Sequence, residues 1–204
     1  MVEEQLIARG VDSPRVLAVL GELPRHHFVD EALASRAYAD GPLPIGYGQT
    51  ISQPFIVALT LQALSLKPTD RVLEIGFGCG YQTAALAQMA AQVYAIERVP
   101  DLFDKGRRHL KEFRFANVFL KLGDGHLGWE EFAPFDAIVL AAYAPQVPTR
   151  LKNQLATGGR LVAPLGDAVG QSLVLFTKKT DGAVNRRPLA NCRFVPLVKG
   201  LSAR

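Results

Sequence analysis

The stretch "RVLEIGFGCGYQTAALA", residues 71–87, decides the fold. It opens as a short apolar run, passes through Gly76, Gly78 and Gly80, and continues in residues that favour a helix. A buried strand that turns through glycines into a helix lets a ligand approach the backbone closely, because no Cβ stands in the way. An ordinary tight turn would carry the same glycines, so the flanking sequence has to decide between the two.

On the N-terminal side, "PFIVALTLQALSL" (54–66) reads as a helix with Pro54 in its first turn. On the C-terminal side, helices over 81–90, 101–113 and 147–159 alternate with strands "QVYAIE" (92–97), "NVFLKLGD" (117–124), "FDAIVLAA" (135–142) and "RLVAPLG" (160–166), the last helix closed by glycine. Such alternation demands right-handed crossovers and a largely parallel sheet. The tail differs: "SLVLFTKKTDGAVNRRPL" (172–189) holds Asp181-Gly182 between extended segments, a hairpin signal. "CRFVPLV" (192–198) ends it, as a core strand or as an extended edge that a peptide main chain can join. Residues 2–35 carry helical periodicity interrupted at Gly10 and Pro24, with a helix start at Asp12-Ser13-Pro14. Residues 40–53, which include "LPIGYGQTISQ", read as a polar loop with neither strand nor helix in it. With no repeat and no linker, the chain reads as one unit (1–204), residues 1–53 forming an extension of helices and loop on an α/β core over 54–204.

The chain has 204 residues, 49% of them hydrophobic and 21% charged, which suits a globular domain and argues against disorder. No apolar run approaches the roughly 20 residues that span a bilayer. "MVEEQLIARG" is acidic and amphipathic rather than a secretory signal. Two cysteines, Cys79 and Cys192, make no disulfide framework, so a reduced, cytoplasmic protein is expected. The net charge of +4 is weak grounds for a nucleic-acid partner, and the basic run "KGRRHLKEFR" (105–114) reads as the solvated face of a helix.

The glycine spacing narrows the ligand. A dinucleotide fingerprint places a glycine six positions into the motif; here that position is Tyr81, and the pattern is G-x-G-x-G. The helix-packing glycine of a pyrophosphate clamp is missing, which disfavours a nicotinamide oxidoreductase. S-adenosyl-L-methionine has no phosphates and needs no such clamp. Glu97 closes the next strand roughly 20 residues on, where a ribose-binding acid is expected, and a carboxylate there accepts from both ribose hydroxyls. Asp124 ends the third strand, placed to hold an adenine amino group or to order its loop. These features share the carboxyl ends of parallel strands, where such sheets bind ligands.

Taken together, "RHHFVDEA", "LPIGYGQTISQP", "RVLEIGFGCGYQTA", "AIERV", "GDGHLGW", "FDAIVLAA" and "RFVPLVKG" resemble the protein-L-isoaspartate (D-aspartate) O-methyltransferases over nearly the whole chain. The glycine motif is shared by many methyltransferases, whereas "GQTISQP" and "RFVPLV" are specific to this family. The resemblance implies a class I S-adenosylmethionine-dependent methyltransferase fold: a Rossmann-like, seven-stranded, mostly parallel sheet with a C-terminal antiparallel hairpin and an N-terminal helical extension. It implies methylation of the free α-carboxylate of L-isoaspartyl residues in damaged proteins, whose ester closes to a succinimide that hydrolyses partly to aspartate. By the same resemblance Ser52 is the active-site residue, Thr50 and Ile51 are its cofactor-side neighbours, and Gly76, Gly78, Glu97, Asp124 and Gly125 form the cofactor pocket. The chain departs from the family at Phe77 and Cys79, where small polar residues are common, and around Leu140 and Tyr143 in "VLAAYAP".

The chemistry accounts for an absence. An α-carboxylate with a pKa of roughly 3.5 is ionised at pH 7, so its methylation needs no general base, and the four histidines fall in no catalytic pattern. No metal site is expected. Orientation and exclusion of water are what the reaction requires. A hydroxyl at Ser52 can aim the carboxylate, from a loop that acts as a lid over cofactor and substrate. Capping of the helix that begins at Pro54 is the plainer role for this serine. Isoaspartyl peptides are then the partners, with no nucleic acid, no membrane and a monomer expected. Two rival readings are a methyltransferase of the same fold acting on RNA or a small molecule, and a non-catalytic S-adenosylmethionine-binding module.

Overall fold

The computed structural model describes residues 1–202. Helical turns at Val2–Leu6 and Ile7–Arg9 lead to α1 (Pro14–Glu22), followed by 3-10 turns at Arg25–Phe28 and Glu31–Arg36. The helix start at Pro14 is where the sequence puts it. The two amides just before it are held from outside: the Gln62 side-chain oxygen accepts from Asp12 N–H at 2.9 Å and Ser13 N–H at 3.0 Å. The rest of the extension departs from the α-helix in short pieces, a wider π turn at Val2–Leu6 and tighter 3-10 turns at Ile7–Arg9, Arg25–Phe28 and Glu31–Arg36.

The expected loop over 40–53 is instead a small antiparallel hairpin, β1 (Leu43–Gly46) with β2 (Gln49–Ile51). Its two-residue turn, Tyr47-Gly48, has φ of 54° and 67°. Positive φ at both positions matches the right-handed twist of the strands. A tyrosine in the first of these places is not a turn signal, and so the hairpin is hidden in the sequence.

Beyond it lie α2 (Pro54–Leu64), β3 (Arg71–Ile75), α3 (Tyr81–Ala87), β4 (Gln92–Glu97), α4 (Pro100–Glu112), β5 (Val118–Leu122), β6 (Phe135–Leu140), α5 (Thr149–Asn153), β7 (Leu155–Gly166), β8 (Gln171–Lys178) and β9 (Val184–Cys192). The seven strands from β3 onward form one sheet in the order β5-β4-β3-β6-β7-β8-β9. The pairs from β5 to β7 are parallel, and β7-β8 and β8-β9 are antiparallel. This is the seven-stranded, mostly parallel sheet with a C-terminal antiparallel hairpin that the resemblance implies. The last helix is shorter than the sequence suggests. Gly158 and Gly159 do not close it; they bend β7, whose pairing with β6 shifts between Phe135 and Ala137.

The extension and the sheet share a core. Leu6, Val16, Leu20 and Phe28 belong to one buried cluster with Leu61, Ala84 and Val93. A second cluster, with Leu73, Tyr94, Phe135 and Leu151, fills the opposite face. The order in which strands are added reverses between β3 and β6, which run parallel with their C-terminal ends side by side, and a crevice opens there.

Candidate active site

Among the walls of the crevice are three segments far apart in sequence: the hairpin with its continuation to Ser52, the glycine loop after β3, and the tail over Phe194–Val198. The glycine loop is kept bare by its neighbours. Gly78 has φ of 53°, and a Cβ on it would meet Ile45 Cδ1 at 3.0 Å. The Gly78 N–H donates to Glu97 Oε2 at 3.0 Å, so the loop and the end of β4 are joined at the ligand side.

Glu97 is 5% exposed and has no cationic partner among the described residues. Its other oxygen, Oε1, accepts from the backbone N–H of Arg98 at 2.7 Å and of Val99 at 2.9 Å. A carboxylate offers about four acceptor positions. Three are used within the chain, and the group still lines the crevice. Ser52 also faces the crevice, and it is not spent on a cap: Gln53 is the N-cap of α2, and no side chain caps that helix.

Thr50, Ile51, Ser52, Gly76, Gly78, Glu97 and Gly125 all line the crevice. Asp124 turns away from it. Its Oδ1 accepts from the His126 N–H at 2.8 Å, and its Oδ2 from the Gly200 N–H at 2.8 Å. Burial pushes the Asp124 carboxyl up, but the backbone bonds from Gly200 and His126 outweigh it and hold the pKa below the ordinary value. Of the two roles open to Asp124, ordering the loop is what these contacts support.

The tail "RFVPLV" is neither a core strand nor a free edge. Strand β9 stops at Cys192, and the chain folds over the C-terminal ends of the sheet. The Tyr143 N–H donates to the Val195 carbonyl, and the Leu197 N–H to the Tyr143 carbonyl, each at 2.8 Å. Gln171, 8% exposed, receives the Phe194 N–H at 2.7 Å and returns a bond to the Phe194 carbonyl at 3.2 Å.

The departures from the family pattern have packing roles, and two of them, Phe77 and Cys79, also line the crevice. Phe77 is buried against Phe103 of α4, with ring centroids 5.7 Å apart. Leu140 is 1% exposed in the second core cluster, and Tyr143 secures the tail. The Cys79 carbonyl accepts from His109 Nδ1 at 2.9 Å, which gives that histidine a structural task. Arg107, Arg108 and Lys111 stand exposed on α4, as the solvated-face reading requires.

One crevice residue is absent from the sequence-based expectations. Glu74, in the middle of an apolar strand, is 1% exposed and lines the crevice. Its carboxyl accepts from Thr83 Oγ1 at 2.6 Å and Gln82 Nε2 at 3.0 Å. Burial raises its pKa to about 7. The signal was present: a lone acid in an otherwise buried strand.

With this geometry in view, the comparisons with known proteins are specific. The profile of the protein-L-isoaspartate(D-aspartate) O-methyltransferase family matches residues 1–202. The chain belongs to the protein-L-isoaspartate(D-aspartate) O-methyltransferase family. It is 52% identical to the protein-L-isoaspartate O-methyltransferase of Trichlorobacter lovleyi, over 97% of this chain and 91% of that one. It is 50% identical to the Methylorubrum populi protein of the same description, over 100% and 95%. Among solved structures, it superposes with a TM-score of 0.85 on one from Plasmodium falciparum described as a protein-L-isoaspartate O-methyltransferase. That structure holds S-adenosyl-L-homocysteine, is 30% identical, and is matched over 98% of this chain and 97% of its own.

Proposed function

We infer that the protein methylates the free α-carboxylate of L-isoaspartyl residues in peptides and proteins, with S-adenosylmethionine as donor. The observation that carries the reading is the meeting of Ser52, the bare glycine loop and the strapped tail in one crevice. Family membership supports the acceptor.

The residues fit the donor. Gly78 leaves room for close approach to the backbone, and Glu97 keeps acceptor capacity for a ribose. When bound, S-adenosylmethionine would supply an electrophilic methyl on a sulfonium, its carbon bonding to an acceptor oxygen as the carbon–sulfur bond breaks and the electron pair stays on the thioether sulfur. The chain's own work is placement. Ser52 Oγ donates to one oxygen of the acceptor carboxylate and aims the other. Thr50 and Ile51, the last residues of β2, carry that serine just beyond the strand, and Gly76, Gly78, Glu97, Asp124 and Gly125 form the donor side, Asp124 by fixing the loop that Gly125 begins. The hairpin and the tail exclude water, which strengthens each polar contact. No group has to take a proton, because the acceptor arrives ionised.

The whole chain acts as one methyltransferase unit, and the free cysteines Cys79 and Cys192 support a reducing, cytoplasmic setting. Among the described residues, no helix is long and apolar enough to cross a membrane. A monomer without nucleic-acid partners completes the proposal. The test is transfer of labelled methyl from S-adenosylmethionine to two peptides that differ only in L-isoaspartate or aspartate. Base-labile label on the isoaspartyl peptide alone is expected; equal label on both, or none, overturns the acceptor assignment.

A further inference from the structure

Arg25, which opens the 3-10 turn after α1, is fully buried at 0% exposure. A guanidinium keeps its proton in a protein interior, and a buried charge is costly unless it is paired. Yet no carboxylate of the described residues forms an ion pair with Arg25. Its Nε donates to the Ala37 carbonyl and its Nη2 to the Ser52 carbonyl, both at 2.7 Å. Its Nη1 is buried with no partner among the described residues. The guanidinium carbon lies 4.8 Å from the centroid of the Tyr81 ring, and the buried Tyr81 hydroxyl is its neutral neighbour, close to the guanidinium without the geometry of a full hydrogen bond. The titratable groups around it, Tyr81, Cys79 and Tyr38, include no carboxylate, and burial pushes the Tyr81 hydroxyl and the Cys79 thiol up, toward their neutral forms. Ser52, Tyr81 and Cys79 all line the crevice, so the cation stands directly behind its wall.

An uncompensated cation in that position creates a positive potential inside a partly closed crevice, where charges act strongly. It calls for an anion on the other side of the wall. Both ligands of the crevice carry a carboxylate: the acceptor, and the methionyl end of the donor. The bond to the Ser52 carbonyl puts Arg25 on the acceptor side. We propose that Arg25 is the positioning residue for the acceptor carboxylate, fixing Ser52 through its carbonyl and supplying the counter-charge that selects an ionised α-carboxylate over neutral groups. The inference rests on the isoaspartyl reading above. It gives that reading a source of substrate selectivity that Ser52 alone lacks, since a hydroxyl bonds a carboxylate and a carboxamide alike.

The test uses the full-length protein loaded with S-adenosylhomocysteine. Calorimetry measures its affinity for an isoaspartyl peptide and for the same peptide with the α-carboxylate converted to a carboxamide. The wild type is expected to prefer the carboxylate by about tenfold or more. Arg25→Gln, which keeps a donor for the Ser52 carbonyl but no charge, should reduce the preference to about threefold or less, with S-adenosylhomocysteine affinity within about threefold of wild type. Arg25→Lys should keep the preference but lower kcat, since an ammonium lacks the fork that fixes Ser52. A wild type without the preference, a Gln variant that retains it, or a Gln variant that loses S-adenosylhomocysteine and peptide affinity in equal proportion overturns the proposal. If the Gln variant fails to fold, the Lys variant decides, and loss of the preference with a charge still present overturns it. Methyl transfer by the wild type to the isoaspartyl peptide, run alongside, tests the underlying reading separately.

Discussion

Gly106 of α4 lies against Gly78 of the glycine loop so closely that a Cβ on Gly106 would meet the Gly78 carbonyl oxygen at 2.5 Å and Phe77 Cε2 at 2.6 Å. The glycine that allows helix and loop to touch thus sits on α4, about thirty residues beyond the motif. Gly80 makes a second such contact, because a Cβ there would fall 2.9 Å from Leu110 Cγ. Gly106→Ala should displace the loop from Glu97, weakening S-adenosylhomocysteine binding about tenfold or more and costing about 1–3 kcal/mol of stability. Calorimetry and denaturant unfolding read the two effects; an unchanged affinity would mean that the loop tolerates the shift.

Ser52→Ala removes the hydroxyl and leaves the cap of α2 intact, because Gln53 holds that position. We expect kcat on an isoaspartyl peptide to fall roughly 10- to 100-fold, the scale of a lost orienting contact, with unchanged affinity for S-adenosylhomocysteine. Wild-type turnover in this variant would remove Ser52 from the reaction.

Glu97→Gln exchanges an acceptor-only carboxylate for an amide, although three backbone N–H groups point at the two oxygens. One amide hydrogen must then face a donor. A stability loss of about 1–3 kcal/mol and a drop of about tenfold or more in cofactor affinity are expected. Thermal unfolding with and without S-adenosylhomocysteine measures both.

The Glu74 carboxyl is raised from 4.5 to about 7 in the fold by burial. A group that holds its proton more tightly when folded favours the folded state below its unfolded pKa, and that contribution is lost as pH rises through the folded value. Wild-type stability should therefore fall between about pH 4.5 and pH 7, by a few kcal/mol at most. Glu74→Gln should flatten this part of the profile and be the more stable protein above about pH 7. Equal slopes for the two proteins in urea unfolding at several pH values would show that Glu74 ionises freely.

Gln171→Leu cuts the bonds that hold Phe194 at the crevice while keeping a side chain of similar length. If the tail shapes the acceptor site, KM for the isoaspartyl peptide should rise about tenfold, with little change for S-adenosylmethionine. Steady-state kinetics with each substrate varied in turn separates the two.

Much of this protein is determined by local sequence. The strand and helix periods, the glycine run after β3, Glu97 at the end of β4 and Asp181-Gly182 in the last hairpin each declare themselves within a window of about ten residues, because backbone preference and burial on one face act at that range. What only the tertiary structure decided depends on partners far along the chain. The Tyr47-Gly48 turn suits Gly48, but the positive φ of Tyr47 is imposed by the hairpin it closes and not by its own residue type. The ends of the tail segment are tied down by Gln171 and Asp124, more than twenty and more than seventy residues away. Asp124 is turned from the crevice by Gly200, and Arg25 is set behind Ser52 with no counter-ion among the described residues. A sequence shows which groups exist; whether a carboxylate faces a ligand or a backbone amide, and whether a buried cation is paired, is settled only when distant segments pack and compete for the same hydrogen bonds.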